Sequence, residues 1–245
     1  MLGKLRRLGL LVPSSDSVSE FDCRTFLPPH VSFHTARLPH SDNTKRGHAT
    51  LEEICAGIEP AAPTLVQVSP EVIVFSCTSG SFFKGESWGD ELERRIMATT
   101  GVPGIVTGKA VRRAFADLSA RRVFMVTPYP EEINRLEIEY FRRGGVDIVA
   151  YTYFHCERSK DVSDIVPRTI LERMLEYADD IRRCDVLFIS CTGLRGMEVI
   201  EEAERLFSVP TVTSNSANIY AALRHMKINT SQVKAGKLFQ VPSSS

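Results

Sequence analysis

The sequence predicts an α/β protein built from two duplicated, Rossmann-like parallel-sheet domains related by pseudo-two-fold symmetry. Two observations carry this. Short apolar runs ending in Ser, Thr, Gly or Pro are each followed by a helix-like stretch, the βαβ pattern of a parallel sheet covered on both faces. The chain also repeats itself: Glu71-Val72-Ile73-Val74-Phe75-Ser76-Cys77-Thr78 is matched type for type by Asp185-Val186-Leu187-Phe188-Ile189-Ser190-Cys191-Thr192. Arg6-Arg7-Leu8-Gly9-Leu10-Leu11-Val12-Pro13 likewise parallels Arg121-Arg122-Val123-Phe124-Met125-Val126-Thr127-Pro128 at almost the same offset, as an internal duplication leaves it.

The elements follow in order. Strands are expected at Leu8 to Val12, Val31 to His34, Val72 to Ser76, Val123 to Thr127, Val146 to Thr152, Val186 to Ser190 and Pro210 to Thr213, because these are the compact β-branched or Leu-rich runs. Helices are expected at Thr50 to Val68, Trp88 to Thr99, Gly108 to Leu118, Pro130 to Arg143, Ile165 to Arg182 and Gly196 to Phe207. Thr50-Leu51-Glu52-Glu53 reads as a capping box. Pro130-Glu131-Glu132 suits a first helical turn, and Gly144-Gly145 a helix end. An amphipathic stretch from Ala217 to Met226 is expected to pack back on the first half. The domains are read as residues 1–115, 116–213 and a terminal segment 214–245 whose last residues fray.

Composition narrows the function. With 30 Lys and Arg against 30 Asp and Glu, no global field favours nucleic acid or an anionic membrane, so a small molecule is the expected partner. The apolar stretch Leu8 to Val12 is too short for a signal-peptide core or a bilayer span, which points to a cytoplasmic protein. A homo-oligomer stays open. The six cysteines form no dense disulfide framework, and neither they nor His30, His34, His40 and His48 show metal-ligand spacing, so no metal is expected. Nucleotide fingerprints are absent: Gly101-Val102-Pro103-Gly104 does not fit, and no phosphate-loop Lys occurs.

Cys77 and Cys191 carry the chemistry. In an open parallel sheet, ligands gather beyond the carboxyl ends of the strands, where both cysteines fall. The turns after them, Thr78-Ser79-Gly80-Ser81 and Thr192-Gly193-Leu194-Arg195, can offer N–H groups and hydroxyls to an anion, and a following helix would lower the thiol pKa. A buried strand-end cysteine is often only a small hydrophobe. Two in matched settings favour chemistry, with two sulfurs aimed at opposite faces of one substrate carbon. Cys23, Cys55, Cys156 and Cys184 lack that setting and read as structural.

Cys77-Thr78-Ser79-Gly80-Ser81-Phe82, Thr127-Pro128-Tyr129 and Ser190-Cys191-Thr192-Gly193-Leu194 together resemble the aspartate/glutamate racemase superfamily, in its branch of maleate cis-trans isomerases and arylmalonate decarboxylases. The resemblance runs from about Arg6 to the last helix. It implies an active-site cleft between the two domains, no cofactor, and Cys77 and Cys191 as catalytic cysteines. It further implies that Thr78, Ser79, Tyr129, Thr192 and Gly193 hold a substrate carboxylate, with Ser14 and Ser15 in the equivalent turn of the first half. The decarboxylases of the branch have glycine at the first cysteine position, so the pair kept here favours an isomerase or racemase of a small carboxylic acid. Asp16 stands where maleate isomerases usually have Asn, and an ionised Asp16 would repel a second substrate carboxylate unless a partner neutralises it. The alternatives are an arylmalonate-type decarboxylase protonating through Cys191 and a non-catalytic ligand-binding α/β protein. Racemisation or cis-trans isomerisation, and the acid itself, stay open.

Overall fold

The computed structural model describes residues 4–41 and 47–242. Its first half runs β1 (Arg6–Pro13), α1 (Ser19–Phe26), β2 (Val31–Leu38), α2 (His48–Ala56), α3 (Ile58–Ala61), α4 (Pro63–Val66), β3 (Val72–Phe75), α5 (Trp88–Thr100), β4 (Gly104–Val106) and α6 (Thr107–Asp117). The second runs β5 (Arg122–Thr127), α7 (Glu131–Arg143), β6 (Asp147–Tyr153), α8 (Pro167–Leu175), α9 (Ala178–Arg182), β7 (Val186–Ile189), α10 (Ile200–Phe207), β8 (Thr211–Thr213) and α11 (Ser214–His225). The two sheets have the orders β2-β1-β3-β4 and β6-β5-β7-β8, the same topology twice, and every pairing is parallel.

The central strands are buried at every position from Val72 to Phe75 and from Val186 to Ile189, as continuous apolar runs require when helices cover both faces. Each such Val, Leu, Ile or Phe contributes roughly 1.5–3 kcal/mol on burial. Gly9 sits where β1 passes β3, because a Cβ there would lie 2.9 Å from Ile73. The second sheet departs from the first at one place: β6 slips register between Val123 and Phe124, which pair with Ile148 and Ala150. Val149 is left as the extra residue of a bulge.

Several boundaries differ from the sequence reading. The long helix expected at Thr50 to Val68 is three short ones, since Pro60 and Pro63 supply no N–H to a continuous ladder. The capping box at Thr50 does not form. Thr50 lies within α2, and Glu53 accepts instead from the Ser41 backbone N–H at 2.7 Å and from its hydroxyl. The helix expected over Ile165 to Arg182 breaks at Tyr177, whose backbone is non-helical, after starting with Pro167 in its first turn. The helix expected from Gly196 begins as a 3₁₀ turn at Met197–Val199 before α10. Pro130 and Gly144 flank α7 as expected. Strand β4, three residues long, and the polar helix α1 had no periodic signal to announce them. The expected boundary at residue 115 falls inside α6.

The last helix of each half crosses to the other. Phe115 of α6 packs its ring against Phe141 of α7 and Phe188 of β7, at centroid distances of 5.3 and 5.4 Å. In return, α11 contacts β3, β4 and α1. The two exchanged helices also pack on each other, and Tyr220 donates to Asp117 at 3.0 Å. Thr213 and Ser216 form a capping box that fixes the start of α11.

Candidate active site

Both cysteines lie just beyond the carboxyl end of the central strand of their sheet, and both line one narrow cavity of about 30 Å³. Ser15 and Asp16 reach it from the β1–α1 turn, Tyr129 from the β5–α7 turn, and Thr78, Ser79, Thr192 and Gly193 from the turns after the cysteines. Of the residues singled out in the sequence, Ser14 alone is outside the lining and exposed. The sequence did not point to the rest of the lining, which is Thr50, Leu51 and Ile54 of α2 together with Pro13 and Ser159. Leu51 and Ile54 are spaced three apart on one helical face, a pattern that reads only as core. Cys77 and Cys191 are 5% and 7% exposed, so both line the cavity while nearly closed off from the outer surface.

The glycines permit close approach. A Cβ on Gly80 would stand 2.9 Å from the Cys77 Sγ, and one on Gly193 would stand 3.8 Å from the Cys191 Sγ. The backbone therefore presses against the first sulfur in a way no other residue allows. The Ser81 hydroxyl donates to the Cys77 carbonyl at 2.6 Å and closes a 3₁₀ turn at Ser79–Ser81. Around Cys191 the turn is different: Leu194 N–H donates to the Cys191 carbonyl, and Cys191 itself holds a φ of 90°, a conformation that a residue with a side chain adopts only when its surroundings impose it. The α-helix after Cys77 starts at Trp88, where it was expected, and the one after Cys191 at Ile200, so neither thiol lies at an α-helix amino end: the Thr-Ser-Gly-Ser and Thr-Gly-Leu-Arg-Gly segments favour tight turns over helix.

Residues at the start of α11 tie the two turns together. The Ser214 hydroxyl accepts from Thr78 Oγ1 at 2.8 Å and from the Cys191 N–H at 3.0 Å. Thr192 Oγ1 donates to the Ser76 carbonyl at 3.2 Å, and Asn215 Nδ2 donates to the Thr192 carbonyl at 2.8 Å. Asn218 donates to Thr107 Oγ1 at 3.1 Å. The signal for these residues was present in the sequence as the polar run Ser214-Asn215-Ser216-Ala217-Asn218 in a helix buried at each of those positions.

The Asp16 side chain is held by the amino end of α1. Its Oδ1 accepts from the Val18 and Ser19 N–H groups at 2.8 and 2.9 Å, and its Oδ2 from the Ser19 hydroxyl at 2.7 Å. Ser15 pairs with His40 Nε2 at 2.9 Å. Behind this layer sit two fully enclosed acids. Burial pushes the Asp22 carboxyl up to about 8, opposed by the Asn215 amide that donates to it at 2.7 Å and reinforced by Asp16. Burial likewise pushes Glu137 up to about 8, against the Ser190 hydroxyl that donates to it at 2.6 Å.

Three of the other thiols sit in settings that suppress ionisation. Burial raises Cys55 to about 12, with Cys77 as the next contributor, and its Sγ–H donates to the Gly80 carbonyl at 3.7 Å. Burial raises Cys23 further and Cys184 less. Among the described residues no group of three or more His, Cys, Asp or Glu side chains is placed to hold a metal ion, and no helix is long and apolar enough to cross a membrane.

The model of the arylmalonate decarboxylase family matches residues 8–239. The chain is 26% identical to the maleate isomerase of Nocardia farcinica over 98% of each chain, and 26% identical to the arylmalonate decarboxylase of Bordetella bronchiseptica over 89% of each. Among solved structures, the N. farcinica maleate cis-trans isomerase, in a cysteine-to-serine mutant with a covalently bound succinylcysteine intermediate, superposes with a TM-score of 0.88 at 24% identity, over 97% of this chain and 99% of that one. The two-sheet α/β architecture is thus shared across both activities.

Proposed function

The chain belongs to the arylmalonate decarboxylase family, and on that premise we propose that it is a cofactor-independent isomerase of a small carboxylic acid, working through Cys77 and Cys191. The observation that carries this reading is that the two thiols, from equivalent strand ends of the two halves, line a single cavity. A ligand-binding protein without chemistry has no use for that pairing. The presence of Cys77 at the position where the decarboxylases of the branch have glycine also speaks for isomerisation over decarboxylation, as does the succinylcysteine intermediate of the N. farcinica isomerase.

In the cis-trans reaction, the Cys77 thiolate adds to one carbon of the substrate double bond. The π electron pair moves toward the neighbouring carbon and its carboxylate, and Cys191 delivers a proton to that carbon. Rotation about the new single bond follows. Cys191 then takes a proton back, the electron pair re-forms the double bond, and the C–S bond breaks to return the Cys77 thiolate. The carboxylate becomes more electron-rich during addition, so donors set in place beforehand lower the barrier. The Thr78 and Thr192 hydroxyl protons are committed to Ser214 and to the Ser76 carbonyl. The turn N–H groups of Thr78, Ser79, Thr192 and Gly193, with the Tyr129 and Ser15 hydroxyls, are the donors this reading assigns to the carboxylate. Ser14, pointing outward, has no such role.

Asp16 and the apolar face of Leu51 and Ile54 bear on the rest of the substrate. The reading takes that part to be small, and the protein to act in the cytoplasm on a free metabolite. The test is a panel of small unsaturated acids and 2-substituted acids in deuterated water, followed by proton NMR. Conversion of a cis acid to its trans isomer, or deuterium entering an α-position, is expected. Carbon dioxide release from a malonate with no isomerase turnover anywhere in the panel would replace this reading with decarboxylation.

A further inference from the structure

Offsets in the duplication lead to a second layer behind the cysteines. Asp22 of α1 and Glu137 of α7 are 115 positions apart, the same interval that separates Arg6 from Arg121. Each is completely buried, each has one carboxyl oxygen without a hydrogen-bond partner, and each lies on the helix that follows the first strand of its half. Their remaining oxygens do different things. Asp22 reaches the cysteine turn of the other half, through Asn215 to the Thr192 carbonyl. Glu137 holds the residue directly before Cys191, by accepting from the Ser190 hydroxyl.

We propose that Glu137 is a positioning residue for Cys191: through Ser190 it clamps the peptide that enters the left-handed cysteine and so aims the sulfur into the cavity. Three attachments converge on this short segment. Glu137 fixes Ser190 from behind, Ser214 fixes the Cys191 N–H, and Asn215 fixes the Thr192 carbonyl. A backbone at φ 90° persists only where such contacts over-determine it. Cys77 needs no equivalent clamp, since its own backbone lies outside the left-handed region and Gly80 closes on its sulfur directly. Glu137 acts as a neutral acid here, because burial keeps it protonated up to about pH 8 and nothing charged contributes to that shift. A carboxamide can therefore replace it as acceptor.

The proposal rests on Cys191 being one of the working thiols, and its test is read on the thiol itself. Iodoacetamide labelling at neutral pH, quantified by peptide mapping, gives the rates of Cys191 and Cys77 separately in the whole protein. In Glu137→Leu and in Ser190→Ala, the Cys191 rate is expected to fall about tenfold or more while the Cys77 rate holds. Glu137→Gln is expected to restore the Cys191 rate to within about threefold of wild type. Should an acid be found that the protein converts, Glu137→Leu lowers kcat and leaves KM near its wild-type value. Unchanged labelling in both Glu137→Leu and Ser190→Ala, or an equal fall at both cysteines, overturns the proposal. Failure of every acid in the substrate panel, with the labelling result intact, would instead count against the isomerase reading.

Discussion

Cys77 sits on an ordinary backbone, pressed by Gly80, whereas its counterpart Cys191 is held at φ 90° by contacts from α7 and α11. The surrounding halves diverge in the same sense. The first sheet is in register throughout, while the second carries a bulge beside β5. Duplication has thus preserved where the sulfurs are and released how they are held. Such a division suits a reaction in which one thiol bonds to carbon and must be closely packed, while the other moves a proton and must be aimed.

Removing either sulfur is the strongest way to break that comparison. Cys77→Ala and Cys191→Ala are each expected to lower isomerisation by roughly a thousandfold or more while the fold survives, because a small cleft side chain is lost and no large core residue is touched. Cys77→Gly is expected to leave a protein able to protonate from one face only, with a decarboxylase pattern. Substantial isomerase activity in Cys191→Ala would mean that the two halves are not partners in one reaction.

Labelling sharpens the comparison without a substrate. Cys77 and Cys191 are expected to react with iodoacetamide well before Cys23, Cys55 and Cys184, whose thiols burial holds in the protonated form, and a small acid is expected to protect both. First labelling at Cys23 or Cys184 would contradict this order.

A smaller effect separates the two buried acids. In the unfolded chain both ionise near pH 4, but in the fold only near pH 8, so between those values the unfolded state binds fewer protons and stability falls as pH rises. The slope is on the order of 1 kcal/mol per pH unit for each group. Asp22→Asn and Glu137→Gln are each expected to flatten the decline of Tm between pH 5 and pH 8 by about one group's worth. An unaltered slope in both would show that neither acid is neutral in the fold. The smallest effect is expected from a chelator, which leaves turnover unchanged under the two-thiol reaction. Loss of turnover that zinc or magnesium restores would break the mechanism.

Much of this was legible in one dimension because duplication writes a strand end twice. The matched Ser-Cys-Thr segments located the cysteines and the central strands, and the Pro128-Tyr129 turn gave the third side of the cavity. Residues that reach the site across the fold left weaker traces. Leu51 and Ile54 look like any apolar helix face until tertiary packing brings that face to the cavity. Asp22 and Glu137 occupy helical positions whose burial depends on the sheet beneath, and α1 is too polar for periodicity to reveal it. The long helix expected from Thr50 failed for a local reason, two prolines within four residues, that was readable and was outweighed by the apolar pattern around it.

The exchange of α6 and α11 bears on how such a molecule comes to exist in one piece. A nick in the turn between Asp117 and Arg122 would separate a fragment whose final helix belongs against the other fragment's strands from one whose final helix belongs against the first. Each would keep the helices that pack on its own strands but lose the one supplied by the other half, and would expose apolar surface there until it met its complement. The two pieces are therefore expected to assemble on mixing and to melt together. The spacing of the two sulfurs is consequently set by assembly itself: a half that has not found its partner has no cavity to misuse.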